Sequence, residues 1–255
     1  MDTAIIVGFD YHNTKGVATL GATIVDMYRI FKWCQTLNTK HIYIITDCEY
    51  ATQYYKLERE MENFNCSNKS FIWHNVSTVK LFCNVISQIK CGTKSLIYYT
   101  GHGEDGIKLP SNEIIQFIHY RDIMLSCFRK QSQIIWILDC CTASSFPLAF
   151  RLDKRLFVDR DLQVLVHHDI IAFISGDGRS AAGDHYSYYT KYLLEELKRK
   201  KLSLIDIHDV TSKSLEERIN IQCYIYSSHK RRPVLWTWII DGECSISLGK
   251  MGLLL

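Results

Sequence analysis

Two stretches decide the fold: Ser95-Leu96-Ile97-Tyr98-Tyr99-Thr100-Gly101-His102-Gly103 and Ile134-Ile135-Trp136-Ile137-Leu138-Asp139-Cys140-Cys141. Each begins as an apolar run that predicts a buried parallel strand, and each ends in residues able to do chemistry. In open α/β sheets, ligands and reactions gather beyond the carboxyl ends of neighbouring strands. A histidine after one strand and a cysteine after the other can therefore meet as a base and a nucleophile.

The composition fits one domain of an intracellular protein. The chain has 255 residues, 47% apolar and 22% charged, which is enough for one large α/β domain. The 10 cysteines are scattered and residues 1–9 lack a secretion signal, so we expect reduced thiols, a cytoplasmic location and no amino-terminal prodomain. A net charge of +3 gives no general affinity for nucleic acid, and no apolar run suits a membrane span. The 3 prolines and the plentiful Ile, Lys, Tyr and Asn are typical of an AT-rich genome, such as that of a large DNA virus.

Strand patterns alternate with helical patterns, which predicts crossover connections and a mainly parallel sheet of about six strands flanked by helices. The predicted strands are Thr3–Phe9, His41–Thr46, Ser95–Thr100, Ile134–Leu138, Asp169–Ser175 and Val234–Trp238. The predicted helices are Leu20–Leu37, Asn75–Ile89, Glu113–Phe128, Tyr186–Lys200 and Leu202–Ile219, with a short one in Cys48–Asn63. We interpret Gly103–Asn112 as a loop.

A charged connection divides the predicted domain into two parts. Arg151–Gln163 is rich in charged residues, as is typical of surface segments that are open to cleavage. We therefore interpret residues 1–150 as a larger part, 151–169 as the connection and 170–255 as a smaller part of the same domain.

Cys141 and His102 are the candidate nucleophile and base. A thiol attacks a carbonyl only as a thiolate, so it needs a base or a positive field nearby. Gly101 and Gly103 flank the histidine and allow close approach of backbone and substrate. The amides of Gly103 and Cys141 are the candidate donors to an oxyanion. Taken singly, a buried cysteine is more often a core residue, and a loop histidine more often a polar surface residue.

The two segments together resemble those of the caspase-like cysteine peptidases, and of the metacaspase branch in particular. Metacaspases typically carry Tyr-Ser-Gly-His-Gly and Asp-x-Cys-His-Ser-Gly, which stand here as Tyr99–Gly103 and Asp139–Ser144. Three other segments resemble the family's first helix, second strand and small-subunit strand: Leu20–Phe31, Ile44–Asp47 and Ile174–Asp177. The resemblance implies a caspase-like three-layer sandwich and a cysteine endopeptidase with polypeptide substrates and a role in cell death.

The resemblance also implies roles for single residues. It assigns Cys141 as the nucleophile, and alternation along the strand agrees because Cys140 then faces the core. It places Asp139, Asp26 and Thr100 at the pocket for the residue that precedes the cut, where carboxylates favour Arg or Lys. The alternatives are that Asp139 caps the following turn and that Asp26 is an ordinary exposed helix position.

The chain departs from the family pattern directly after the nucleophile. Thr142, Ala143 and Ser144 replace the usual His-Ser-Gly, but no proton-transfer group is lost, so we favour an active enzyme that is a monomer or a homodimer. The alternative is a catalytically silent caspase-like regulator that binds an active relative or its substrates.

Calcium binding also departs from the family pattern. Many metacaspases bind calcium through acids after the His-Gly segment and through an Asp-Leu-Pro stretch. Here the loop offers Glu104 and Asp105 near Lys108, and the stretch reads Phe146-Pro147-Leu148. Because Ca²⁺ prefers six to eight oxygen ligands, we predict calcium-independent activity, with no metal and no cofactor.

Overall fold

A computed structural model describes residues 1–48, 71–148, 150–151, 168–176, 186–198, 203–219 and 222–228. Its strands are β1 (Thr3–Gly8), β2 (His41–Thr46), β3 (Phe71–Asn75), β4 (Lys94–Thr100), β5 (Gly106–Lys108), β6 (Ile114–Gln116), β7 (Gln133–Asp139), β8 (Phe150–Arg151), β9 (Asp169–Ile174) and β10 (Tyr224–Ser227). Its helices are α1 (Ala22–Thr36), α2 (Val79–Gln88), α3 (Phe117–Leu125), α4 (Tyr188–Leu197) and α5 (Leu204–Ile219), with a 3₁₀ turn at Ala143–Ser145.

Most of the strands form one sheet with the order β3-β2-β1-β4-β7-β9-β10-β8. The first six strands in that order are parallel, whereas β10 runs antiparallel to β9 and β8 antiparallel to β10. The mainly parallel sheet of about six strands is thus confirmed, with an antiparallel extension at one edge. The carboxyl ends of six neighbouring strands consequently lie along one edge of the sheet.

Helices cover both faces of the sheet, as an α/β sandwich requires. On one face, residues of α1, α4 and α5 such as Phe31, Leu193 and Leu215 pack against alternate strand residues, including Tyr98. On the other face, α2 and α3 pack against the intervening residues, including Tyr99. Continuous apolar strands suit this double burial, and the predicted three-layer fold is confirmed. Along the described residues, no helix has both the length and the apolar character that are needed to cross a bilayer.

A small hairpin corrects two of the predicted elements. The predicted loop Gly103–Asn112 contains β5, and the predicted helix Glu113–Phe128 begins as β6 before α3 starts at Phe117. Ile107 pairs with Ile115, and both are buried while Ile114 is exposed, so the local pattern is that of a strand. The sequence prediction failed here because three-residue strands are too short to show a clear period.

Besides the hairpin, three described strands, β3, β8 and β10, were not predicted from the sequence. The predicted helix in Cys48–Asn63, the predicted strand Val234–Trp238 and most of the Arg151–Gln163 connection lie outside the described residues.

Candidate active site

The sheet register brings His102 and Cys141 to the same edge. β4 and β7 are parallel neighbours, and Thr100 at the end of β4 is paired with Asp139 at the end of β7. His102 comes two residues after Thr100, and Cys141 comes two residues after Asp139. The sheet therefore places the candidate base and the candidate nucleophile at equivalent positions beyond adjacent strands.

Two tyrosines hold the backbone of His102. The His102 amide donates to the Tyr11 hydroxyl oxygen at 3.0 Å, and the Tyr99 hydroxyl donates to the His102 carbonyl at 2.8 Å. The Tyr11 hydroxyl in turn donates to the Lys108 carbonyl at 2.7 Å. The ring of Tyr11 also packs on the His102 ring, with centroids 4.7 Å apart. His102 is thus fixed from both sides of its peptide backbone.

A backbone carbonyl orients the His102 ring. Nε2 of His102 lies 2.8 Å from the carbonyl oxygen of Ala18, in the loop before α1. An oxygen of this kind only accepts, so it favours the tautomer that carries the proton on Nε2. Nδ1 is then the nitrogen available for proton exchange with a substrate or a thiol.

Gly103 packs closely against the segment that carries Cys140 and Cys141. A Cβ on Gly103 would collide with the Cys141 carbonyl oxygen and lie 3.0 Å from the Cys140 Sγ atom. Gly103 also forms an antiparallel bridge with Ile107, in which the flanking residues make the hydrogen bonds. The peptide groups of such a pair point outward, so the Gly103 amide points away from Ile107. This close approach is the structural reason for glycine after the histidine.

The two adjacent cysteines differ in their surroundings. Cys140 is buried in the core with 2% exposure, whereas Cys141 is partly exposed. Burial, followed by the charges of Asp139 and Cys141, raises the pKa of the Cys140 thiol well above its usual range. The backbone of Cys140 is fixed by the Ser175 hydroxyl, which accepts from its amide and donates to its carbonyl, both at 3.1 Å. Cys140 therefore has the features of a core residue, as alternation predicts.

Thr142 joins the loops that follow β4 and β7. Its φ of 55° lies in the left-handed region, and its hydroxyl oxygen accepts from the Asp105 amide at 2.9 Å. The Thr142 carbonyl accepts from the amide and the hydroxyl of Ser145. The residue that replaces the usual histidine thus makes a specific contact with the loop that carries Gly103.

The three predicted pocket residues lie on the same side of the sheet, Asp26 on α1 and the other two at strand ends. All three are deeply buried. Asp26, Thr100 and Asp139 are 0%, 5% and 4% exposed, so the alternative of an exposed helix position for Asp26 is wrong. Asp26 accepts from the Ser187 amide at 2.7 Å, and Asp139 accepts from the Thr190 hydroxyl at 2.6 Å. Both carboxyl groups therefore hold the first turn of α4.

The electrostatics of this acid pair favour protonation of Asp26. Burial, and then the charge of Asp139, raises the pKa of Asp26 well above its usual range. The Ser187 amide and the Arg29 guanidinium, whose nitrogen is 3.8 Å from Asp26, act in the opposite direction. The buried Tyr98 hydroxyl bonds to Thr190 at 2.8 Å and completes this polar cluster.

The acids of the β4–β5 loop are bound to other parts of the loop. Glu104 forms an ion pair with Lys108 at 3.8 Å, and the Asp105 amide is bound to Thr142. Among the described residues, three potential metal ligands cluster elsewhere, with their ligand atoms within 4.8 Å: Asp10, Asp47 and Cys48. Asp47 already accepts from the Asp10 and Tyr11 amides at 2.9 and 2.8 Å, so it holds the turn that carries Tyr11.

Several residues of this site were not predicted from the sequence: Tyr11, Ala18, Ser175, Ser187 and Thr190. Tyr11 and Ser175 had a usable signal, because they lie just beyond the carboxyl ends of β1 and β9. The others act through a backbone group or a common hydroxyl, which no motif marks.

The mainly parallel sheet flanked by helices, with a histidine and a cysteine beyond adjacent strands, is consistent with a caspase-like fold. The sequence pattern of the caspase domain matches residues 3–235, and the protein belongs to that peptidase family. None of the proteins with curated descriptions matches the chain.

Solved structures show the same fold. A total of 34 chains match, among them the crystal structure of protein GSU0716 from Geobacter sulfurreducens. It is 13% identical in sequence, with a TM-score of 0.54, and the alignment covers 91% of this chain and 96% of that one. At this identity, the likeness concerns the fold alone.

Proposed function

We propose that this protein is a cysteine endopeptidase of the metacaspase branch, with Cys141 as the nucleophile and His102 as its proton-exchanging partner. One observation carries the proposal: the two residues follow adjacent strands in register. The Ala18 carbonyl, which orients the His102 ring, supports it. Membership of the caspase-domain family supports the type of reaction and polypeptide substrates.

The proposed reaction starts when Nδ1 of His102 accepts the proton of the Cys141 thiol, and the resulting thiolate attacks the scissile carbonyl carbon. The amides of Gly103 and Cys141 donate to the oxyanion that forms. His102 then gives a proton from Nδ1 to the leaving amine, while Nε2 remains bonded to Ala18. Water hydrolyses the acyl-enzyme and restores the thiol.

We also propose cleavage after Arg or Lys. Asp26 and Asp139 place two carboxyl groups below the edge that carries Cys141, with Thr100 beside them on the same face. A guanidinium or ammonium group that enters next to this pair favours the charged form of both acids, whereas an acidic side chain is repelled. The raised pKa of Asp26 implies that this preference grows as the pH rises.

Labelling with an electrophilic arginyl peptide tests the nucleophile. We expect covalent labelling of the wild type and of Cys140→Ala, and none of Cys141→Ala; His102→Ala should lose hydrolysis by several orders of magnitude. The assignment of Cys141 as the nucleophile would be contradicted if Cys140→Ala lost hydrolysis while Cys141→Ala was still labelled. A folded wild type that neither labels nor hydrolyses any peptide would instead support the silent regulator.

A peptide library tests the specificity. Cleavage should follow Arg or Lys and not Asp, and Asp139→Asn should lower kcat/KM for arginyl substrates by roughly 30-fold or more, because a desolvated charge pair is lost. The control Asp209→Asn removes the same charge from an exposed position of α5 and should leave kcat/KM unchanged. Preferred cleavage after Asp would overturn the proposed specificity.

A further inference from the structure

A pair of cysteines lies at the edge of the sheet opposite to His102 and Cys141. Cys91 comes three residues before β4, and Cys127 comes shortly before β7. Their Sγ atoms are 3.3 Å apart. The Cys91 amide also donates to the Cys127 carbonyl at 3.1 Å, so the two backbones are already adjacent.

This geometry suits a disulfide. A disulfide requires backbones only a few ångströms apart and sulfur atoms that close to about 2.05 Å. The thiols are already in contact, and the backbone hydrogen bond fixes their separation, so little rearrangement is needed. The hydrogen bond to Cys127 and burial raise the pKa of the Cys91 thiol, so Cys91 is not the thiol that attacks the oxidant first.

The two thiols differ in access. Cys91 is 5% exposed and belongs to the core, whereas Cys127 is partly exposed at the end of α3. The Cys127 thiol donates to the Met124 carbonyl at 2.9 Å, which holds the sulfur beside Cys91. An oxidant from solution therefore reaches Cys127 first, and Cys91 is placed to resolve the product.

We propose that Cys91 and Cys127 form a reversible regulatory disulfide with a small-molecule disulfide such as oxidised glutathione as the oxidant. The Cys127 thiolate attacks one sulfur of the oxidant, forms a mixed disulfide and releases one glutathione thiolate. The Cys91 thiolate then attacks the Cys127 sulfur and expels the second glutathione. Two protein thiols are oxidised, one glutathione disulfide is reduced to two thiols, and excess reduced glutathione reverses the sequence.

The bond would connect two segments that lead into the central strands. It would tie the α2–β4 connection to the α3–β7 connection and close a loop from residue 91 to residue 127. Such a bond constrains the unfolded chain, and it does so next to β4 and β7, whose far ends carry His102 and Cys141. The oxidised protein should therefore be the more stable form.

Peptide mapping after incubation with oxidised or reduced glutathione tests the proposal. The full-length protein is alkylated and digested with trypsin, which releases Cys91 in the peptide 91–94 and Cys127 in the peptide 122–129. We expect these peptides to be linked in most of the oxidised protein and separate in the reduced protein. The oxidised form should also melt roughly 5 °C higher.

Two variants control the experiment. Cys127→Ser should lose both the linked peptides and the shift of the melting temperature, while Cys83→Ser, which removes a partly exposed cysteine of α2, should keep both. A mixed disulfide that persists on Cys127, no linked peptides, or equal melting temperatures would each overturn the proposal. None of these measurements depends on the proposed peptidase activity.

Discussion

The position of His102 depends on single hydroxyl groups that come from distant parts of the chain. The Tyr11 hydroxyl bridges the His102 amide and the Lys108 carbonyl, so it joins the end of β1 to the segment that carries the histidine. Asp47 fixes Tyr11 in turn, because its carboxylate accepts a hydrogen bond from the Tyr11 amide. Because His102 is held through its own peptide group, its ring keeps its position relative to Cys141, as the proposed acid–base role requires.

We expect Tyr11→Phe to lower kcat by roughly ten-fold or more with little change in KM, because the hydroxyl positions His102 without touching substrate. The ring contact with His102 is retained, so the fold should persist, with a loss in the free energy of unfolding of about 1–3 kcal/mol for the buried groups left unpaired. Steady-state kinetics and urea unfolding measure the two effects.

A second tyrosine provides a matched control. Tyr120 is also fully buried and packs against Tyr99, but its hydroxyl has no hydrogen-bond partner among the described residues. Tyr120→Phe should therefore leave kcat within about two-fold, since no hydrogen bond is lost. Equal losses in both variants would show that Tyr11 contributes only to packing.

Asp26 links the charge of the proposed pocket to stability. Its folded-state pKa is raised by burial and by Asp139, so the folded protein keeps a proton that an unfolded aspartate loses near pH 4. The folded state thus binds more protons than the unfolded state above that pH. Stability should fall as the pH rises from about 4 through the folded-state pKa, by at most about 1.4 kcal/mol per pH unit for one proton.

Asp26→Asn should remove this pH dependence, because the amide keeps an oxygen that accepts from Ser187 and does not ionise. Urea unfolding of both proteins between about pH 5 and pH 8, where protein stability is usually highest, measures the difference. We expect the wild type to lose stability relative to the variant as the pH rises. A difference that is constant with pH would contradict a raised pKa.

Between elements, the loops after β4 and β7 are joined through Thr142. We expect Thr142→Val to lower kcat/KM several-fold, because it has a similar shape but cannot accept from the Asp105 amide. The control Thr142→Ser keeps the hydroxyl and should retain activity. If the valine and serine variants are equally active, the contact does not position the Gly103 segment.

The strands that the sequence predicts well are long apolar runs that are buried on both faces of the sheet. β1, β2, β4, β7 and β9 are continuous apolar runs, and their alternation with helices already predicts a parallel sheet. β3 was missed because its residues are only partly buried and show no clear alternation. The hairpin of β5 and β6 was missed because the pairing of two short segments, not their composition, makes them strands.

In the candidate site, the sequence predicts only those reactive residues that directly follow a recognisable strand. His102 and Cys141 follow from their positions after two recognisable strands. The carbonyl of Ala18 and the amide of Ser187 have no sequence signature, because every residue has such groups. Their roles depend on the route of the chain, which the sequence pattern does not specify.

At the scale of the whole molecule, the sheet gathers several acidic side chains with His102 and Cys141 at one edge, opposite the edge that carries Cys91 and Cys127. Asp10, Asp47, Thr100 and Asp139 lie at or beyond carboxyl ends of parallel strands, as ligands and catalytic groups usually do in such sheets. This arrangement makes the carboxyl edge the part of the molecule where a divalent cation would act, if one were needed.

We predict that activity does not need calcium: kcat/KM should be the same in chelator and in millimolar calcium. Glu104 is 68% exposed and paired with Lys108, and the loop offers one further acid, Asp105, which is far from the six to eight oxygens that Ca²⁺ prefers. Magnesium at equal concentration controls for ionic strength. Strong activation by calcium would contradict the prediction. If Glu104→Gln abolishes that activation, the calcium site lies in this loop. If only Asp47→Asn abolishes it, the cation lies beside Tyr11.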